Sequence, residues 1–355
     1  MDKLLEQPLN SECLQIVQAI TAFREVMRSR MKLPKDKKEA VMQQTLIYAT
    51  RATVRLESPR FEEDPSKIMR RLSELRNQRL RAIDEAQFDG YLACKQYIFH
   101  EHLHLDLSED MLFKLHEKLT HFLPGSVIPQ NQRGLYKKTL KKRTAGSNAD
   151  AAKIIFDGNL PGEQTDKAMK QLFKTYKLLD EQGKYSDLQL IAAFVLKILS
   201  IQPFYADNAQ ISRLMMDFLL LKCGYEFCLY SPAETVINNY ATEYYLSLRY
   251  LANTLSGVPD FNAWFLFFLK VLREQCQKIE QDVLPRKPGT LTKLEDQVLT
   301  LIHYHEPVTI SFLVLESQIK RPTLKSILAR LKDRGTILMA GERKGSRYSV
   351  NPDRS

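Results

Sequence analysis

Apolar residues recur at spacings of three and four along most of the chain, with charged and polar residues between them. That period predicts amphipathic helices. Asn10-Ser11 can cap a helix through CLQIVQAITAFREVMRSRM, with Leu14, Val17, Ile20 and Phe23 on one stripe, and Pro34 ends it. KKEAVMQQTLIYATRATV predicts a second helix, Asp64-Pro65-Ser66 opens a third, and IDEAQFDGYLACKQYIF reads as a fourth. In LDLSEDMLFKLHEKLTHFL, Ser108 caps and Glu109-Asp110 favour the helix dipole. From 124 to 162 glycines and prolines appear, and GLYKKTL and AKIIFDG alternate around a polar turn, which predicts a β-hairpin. Five further helices follow, from DKAMKQLFKTYKLLDEQ to DFNAWFLFFLKVLREQCQKIEQDVL.

Leu284 to Gly289 has the composition of a linker. Beyond it the order is helix, short helix, strong helix, then two short strands around Gly341 to Gly345. Pro322 sits in the first turn of the strong helix and Gly335 just past its end. This order predicts a winged helix-turn-helix. The expected organisation is an N-terminal helical region (1–110), a helical core (111–284), a linker (285–289) and a winged unit (290–355).

Composition narrows the classes. The 355 residues are 44% hydrophobic and 26% charged, the balance of a globular protein with a sizeable core. Only 13 glycines and 15 prolines argue against a sandwich or propeller. No apolar run reaches the length of a membrane span, so no membrane partner is expected. The first residues, MDKLLEQPLNSE, lack the apolar core of a signal peptide, and five scattered cysteines read as reduced thiols. Both point to a cytoplasmic protein. A net charge of +10 permits an anionic partner.

The segment between two strongly apolar helices reads Gln202-Pro203-Phe204-Tyr205-Ala206-Asp207-Asn208-Ala209-Gln210-Ile211-Ser212-Arg213. It resembles the signature of the Fic family, H-x-F-x-x-G-N-G-R-x-x-R. The flanks are similar too: Ala192 upstream, Tyr244-Tyr245 and then Asp260, Trp264, Phe267 and Phe268 downstream. The resemblance spans about residues 45–280. It implies a mainly α fold, with a Fic-like helical core, a short β-hairpin flap at 134–158 that clamps a protein target, and an appended winged helix.

The family's chemistry is transfer of AMP from ATP to a protein hydroxyl. Its His is the general base, its acidic residue holds Mg²⁺, its Gly-Asn-Gly turn cradles phosphate and its first Arg neutralises developing charge. This chain departs at most of those positions. Gln202 replaces the base, Ala206 the metal carboxylate, Asp207 and Ala209 the glycines, and Gln210 the first Arg. Pro203, Phe204, Asn208 and Arg213 remain. Loss of a general base alone costs about 10²–10⁴-fold. AMP transfer is therefore expected to be negligible, and no catalytic residue is assigned. Phe204, Asp207, Asn208 and Arg213 are the candidates for any retained nucleotide site, with ATP and Mg²⁺ as its implied ligands. Thr53-Val54-Arg55-Leu56-Glu57-Ser58 resembles the family's inhibitory helix, [S/T]-x-x-x-E-[G/N], with Glu57 and Arg213 as the implied pair and Thr53 as the motif's first residue.

Other candidates are weaker. His100, His102 and His104 alternate, but a solvated inter-helix loop is the plainer reading. His116 falls where the family packs a helix histidine. The run Lys137, Lys138, Lys141, Lys142, Arg143 reads as a solvated flap, and more sharply as a surface for an anionic target. In the winged unit, Arg321, Thr323, Lys325 and Ser326 fall at the N-terminal end of the recognition helix, and Arg343 and Lys344 in the wing. Eleven basic and seven acidic residues between 290 and 355 leave a net +4.

The sequence thus predicts a regulatory or binding protein on a Fic-like core with lost transferase chemistry. It would contact DNA through the winged unit as a homodimer. The alternatives are a nucleotidyl or other phosphoryl-group transferase with altered residues, and a protein–protein scaffold.

Overall fold

A computed structural model of the chain describes residues 1–31, 33–57, 83–139, 161–252, 260–283, 292–341 and 346–351. The chain divides into two compact units, Met1–Pro285 and Arg286–Ser355.

Among its described residues the first unit carries helices and no strand. Its helices are α1 (Asp2–Leu5), α2 (Ser11–Arg30), α3 (Lys35–Glu57), α4 (Ile83–Glu101), α5 (Glu109–Thr120), α6 (Glu163–Gln182), α7 (Asp187–Ile201), α8 (Asn208–Lys222), α9 (Ala233–Asn239), α10 (Ala241–Ala252) and α11 (Phe261–Asp282). Caps lie where the sequence places them. Asn10 accepts from the Cys13 N–H at 2.8 Å, and Ser108 from the Met111 N–H at 3.2 Å. The buried stripe of α2 is Cys13, Ile16, Ile20, Phe23 and Met27. Leu14, expected inside, is 49% exposed. Steps of three and four from Cys13 hold one face continuously, and Leu14 falls one position off it.

One hydrophobic core runs from Leu4 to Ile279, so helices on both sides of residue 110 share it. Its centre is the α7–α8 pair. Every residue of α7 from Leu190 to Leu196 is buried, as are Asn208 and all of Gln210 to Leu221 in α8. The Trp264 indole of α11 donates to the Ala192 carbonyl at 3.0 Å, fixing α11 against α7. Helices α4 and α5 meet at Gly90, where a Cβ would stand 2.0 Å from the Leu119 carbonyl oxygen. No helix of the described residues is long and apolar enough to cross a membrane.

The expected hairpin at 134–158 lies largely outside the described residues. Residues 134–139 carry no strand. The third expected helix, opening at 64–66, also lies outside them.

The second unit orders as α12 (Lys293–His305), β1 (Val308–Thr309), α13 (Ile310–Ser317), α14 (Arg321–Asp333), β2 (Ile337–Ala340) and β3 (Arg347–Val350). The antiparallel sheet has the order β1-β3-β2, with Val308 opposite Tyr348 and Ile337 opposite Val350. Its own core is Val298, Ile302, Val308, Leu313, Leu324, Ile327, Leu328, Leu331 and Ile337. Three helices and two C-terminal strands follow the order read from the sequence, and β1, between the first two helices, adds a third strand that the sequence pattern does not predict.

Candidate functional site

Helices α7 and α8 are joined by six residues, 202–207, and two of them turn the chain by adopting left-handed backbone. Gln202 has φ 47° and Asp207 φ 61°. Neither is glycine, so each carries a strain of about 1–2 kcal/mol that packing must offset. The packing is visible. Phe204 is 1% exposed and stacks on His116 of α5, centroids 4.0 Å apart and planes at 12°. The Asn208 side chain accepts from the Phe204 N–H at 2.8 Å and donates to the Phe204 carbonyl at 2.9 Å. The Lys137 N–H donates to the Pro203 carbonyl at 2.8 Å.

His116 is a packing residue. Burial pulls its imidazole down to about 3; the Ala206 carbonyl opposes this and Arg133 adds to it. Its Nδ1 accepts from the Gly134 N–H at 3.0 Å, which requires the ring to be neutral there.

Each substituted position has a definite environment. Gln202 is buried, and its amide cannot take a proton at neutral pH. Ala206 offers only a methyl group, packed in a small apolar cluster with Ala86, Leu123 and Ile128. No group of three His, Cys, Asp or Glu among the described residues could hold a metal ion. Gln210 donates its Nε2 to Glu57 Oε2 at 2.7 Å, and Arg213 NH2 lies 3.0 Å from Glu57 Oε1. The Glu57 carboxylate is therefore held at both oxygens. The Thr53 hydroxyl, one turn earlier, is buried with no hydrogen-bond partner among the described residues.

Arg213 is 4% exposed and faces Tyr91, Tyr244 and Tyr245 as well as Glu57. Burial tends to lower its affinity for the proton, but Glu57 together with Tyr91, Tyr244 and Tyr245 outweighs that and keeps the guanidinium charged. Burial pushes the Tyr244 phenol up to about 12, with Arg213 holding it back.

The set does not fit Mg²⁺–ATP. The Ala206 side chain has no oxygen, the Gln202 amide takes no proton at neutral pH, and Arg213 is tied to a carboxylate. Of the four candidate nucleotide residues, Phe204 is packed behind the loop and Asn208 closes the loop on itself. Asp207 caps no N–H of α8 with its side chain. A groove of about 440 Å³ lies elsewhere, between α4 and α5; Tyr97, Lys114, Lys118 and Phe122 are among its walls, and none of the motif residues line it.

Two expectations need correction. Lys137, read as part of a solvated basic flap, is 4% exposed, and its ammonium donates to the Ile201 carbonyl at 3.3 Å. The C-terminal end of α7, rich in carbonyls, attracts this cation. Gln210, read only as the loss of an arginine, binds Glu57. Lys141, Lys142 and Arg143 lie outside the described residues.

In the second unit Arg321, Thr323, Lys325 and Ser326 are exposed on α14. Arg330 Nε lies 2.7 Å from Glu295 Oε1, and Arg334 NH1 lies 3.2 Å from Oε2. Burial alone would raise the Glu295 carboxyl, but Arg330, the Thr292 N–H and Arg334 hold it below its ordinary value. Arg330 also donates to the Ser326 hydroxyl at 2.8 Å. Exposed cations not placed in these bonds include Lys320, Arg321 and Lys325 toward the start of α14, Lys332 near its end, and Lys293 and Arg347 on other elements. Arg343 and Lys344 lie outside the described residues.

No family model matches this sequence, and no curated protein matches it. Solved structures do. A Fic family protein from Desulfovibrio desulfuricans G20 shares 15% identity with a TM-score of 0.58, over 98% of each chain. A Fic domain containing signaling protein from Bacteroides thetaiotaomicron VPI-5482 shares 16% identity with a TM-score of 0.54, over 74% of this chain and 95% of that one. Fic-1 from C. elegans, residues 134–508, shares 12% identity with a TM-score of 0.50, over 76% and 72%. At such identities the likeness concerns architecture alone: the chain has the fold of Fic proteins.

Proposed function

We propose that this chain is a Fic-fold protein that has given up nucleotide transfer and acts by contact, as a regulator that binds DNA through its second unit. The observation that carries the first half is the carboxylate of Glu57, held by Gln210 on one oxygen and Arg213 on the other. A family-type transferase needs a guanidinium at the first of these positions to meet phosphate. Here both positions face inward to a carboxylate, beside a loop without base or metal ligand.

The DNA half rests on chemistry and placement. Arg321, Thr323 and Lys325 are exposed at the N-terminal end of α14, where a recognition helix reaches base edges. Glu295 turns Arg330 and Arg334 toward α12, so base reading would fall to the first turns. We read the active form as a cytoplasmic homodimer, in which two such helices meet two half-sites. A protein target at the 134–158 segment is a further partner of this reading.

Two measurements test it. Wild-type protein is expected to shift upstream promoter fragments at low salt. Arg321→Ala with Lys325→Ala is expected to flatten the log affinity–log salt slope by about 1.8. No shift with any genomic fragment at low salt would leave the scaffold reading instead. Labelled ATP with Mg²⁺ and cell lysate is expected to label no protein. A band that disappears in Asn208→Ala would restore the transferase.

A further inference from the structure

Below the motif loop the core holds an ionic cluster that transfer chemistry does not need. Lys95 of α4 places its ammonium 2.7 Å from Asp217 Oδ2 of α8, and in closer contact with Glu234 of α9. All three side chains are fully buried. The Tyr91 hydroxyl donates to the same Glu234 oxygen at 2.6 Å. Asp217 Oδ1 and Glu234 Oε2 find no hydrogen-bond partner among the described residues.

The charges do not balance. One ammonium faces two carboxylates, so the ionised cluster carries a net negative charge in a site sealed from water. A proton on one carboxylate removes it. Charged and titratable groups among the described residues surround the cluster. Helix α4 supplies Lys95 and Tyr91, and its Asp89, though buried, is not among the groups that move Asp217. Helix α8 supplies Arg213, one turn before Asp217, which acts on Tyr91 together with Asp217 and Glu234. The turn at Glu226–Leu229 supplies the Cys228 thiol, and α3 supplies Glu57 through Arg213. Helices α7 and α11 bury no charged side chain.

We propose that Lys95, Asp217 and Glu234 form a proton-operated latch: with one proton bound the cluster seats α9, and without it α9 loosens together with α3, the helix that carries Glu57. The route is packing, since α9 lies along α3 and α8 lies against α4.

The proton belongs on Asp217. Burial pushes its carboxyl up to about 7, against Lys95 and with Glu234. At Glu234 burial acts in the same direction, but Lys95 and the hydrogen bonds from Lys95 and Tyr91 outweigh it and hold that carboxyl below its ordinary value. The folded form therefore keeps a proton that the unfolded chain releases near 3.8. Stability from this group is full below the unfolded value, falls as pH rises through about 7, and is level above.

Hydrogen exchange of the full chain tests the latch. Between about pH 6 and about pH 8, after correction for intrinsic exchange, opening of α9 and α3 is expected to rise about tenfold. In Asp217→Asn that rise is expected to vanish, because the amide is neutral throughout. Equal protection at both pH values, or the same rise in the variant, overturns the proposal. If the variant does not fold, carbon-13 carboxyl NMR of the wild-type decides. One aspartate titrating near neutrality is expected, and none doing so overturns the latch.

Discussion

Replacing Lys95 by methionine is expected to lower the unfolding free energy of the first unit by about 3–5 kcal/mol. The substitution nearly keeps the volume and the apolar stem, so packing changes little. What changes is charge. Asp217 and Glu234 stay fully buried and lose the cation between them. A charge left alone in low dielectric is far more harmful than the pair was helpful. The signature is rescue. Adding Asp217→Asn and Glu234→Gln to Lys95→Met is expected to recover most of the loss, because no charge then remains. Urea midpoints of the single and triple variants check this. A loss under about 1 kcal/mol for the single variant would mean that water reaches the cluster.

The second large effect is at the motif loop. Arg213→Ala is expected to cost about 3–5 kcal/mol, since its side chain is 5% exposed and its partner Glu57 12% exposed. Gln210 would remain on Glu57, but a neutral amide does not compensate a carboxylate. Gln210→Ala is expected to cost about 1.5–3 kcal/mol, the range for a hydrogen bond to a charged group. The two losses are expected not to add, because both act on one carboxylate. Denaturant unfolding of the two single variants and the double variant measures that coupling. Strict additivity would show that Gln210 and Arg213 do not share Glu57 in solution.

These two results bear on the proposed function differently. The Lys95 cluster is structural ground beneath the loop, and it tests the fold. The Glu57 contacts decide whether the loop is open to an anion. If Arg213→Ala left stability unchanged, its guanidinium would be free for phosphate, and the binding reading would lose its main support.

Much of this was legible in residue identities. The caps at Asn10 and Ser108 follow from short polar side chains ahead of periodic runs. The expectation that chemistry is lost at Gln202 and Ala206 follows from functional groups alone, since an amide is no base and a methyl no ligand. The pairing of Glu57 with Arg213 was suggested by two short motifs 156 positions apart. Other features left only faint traces. Lys95 within YLACKQYIF and Asp217 within LMMDFLLL are charged residues in apolar phase, which signals burial without naming a partner.

The sequence by itself determined the helical period, the helix caps and the presence of an amide at position 202 and a methyl group at position 206, because these depend on neighbours along the chain or on a side chain's own chemistry. Only the tertiary structure decided that Gln210 faces Glu57, that Lys137 turns inward to the end of α7, and that one ammonium from α4 must serve carboxylates from α8 and α9. Those partners lie 64 to 153 residues apart. Periodicity says which face of a helix is buried, but which side chain it meets there is set by how the helices pack.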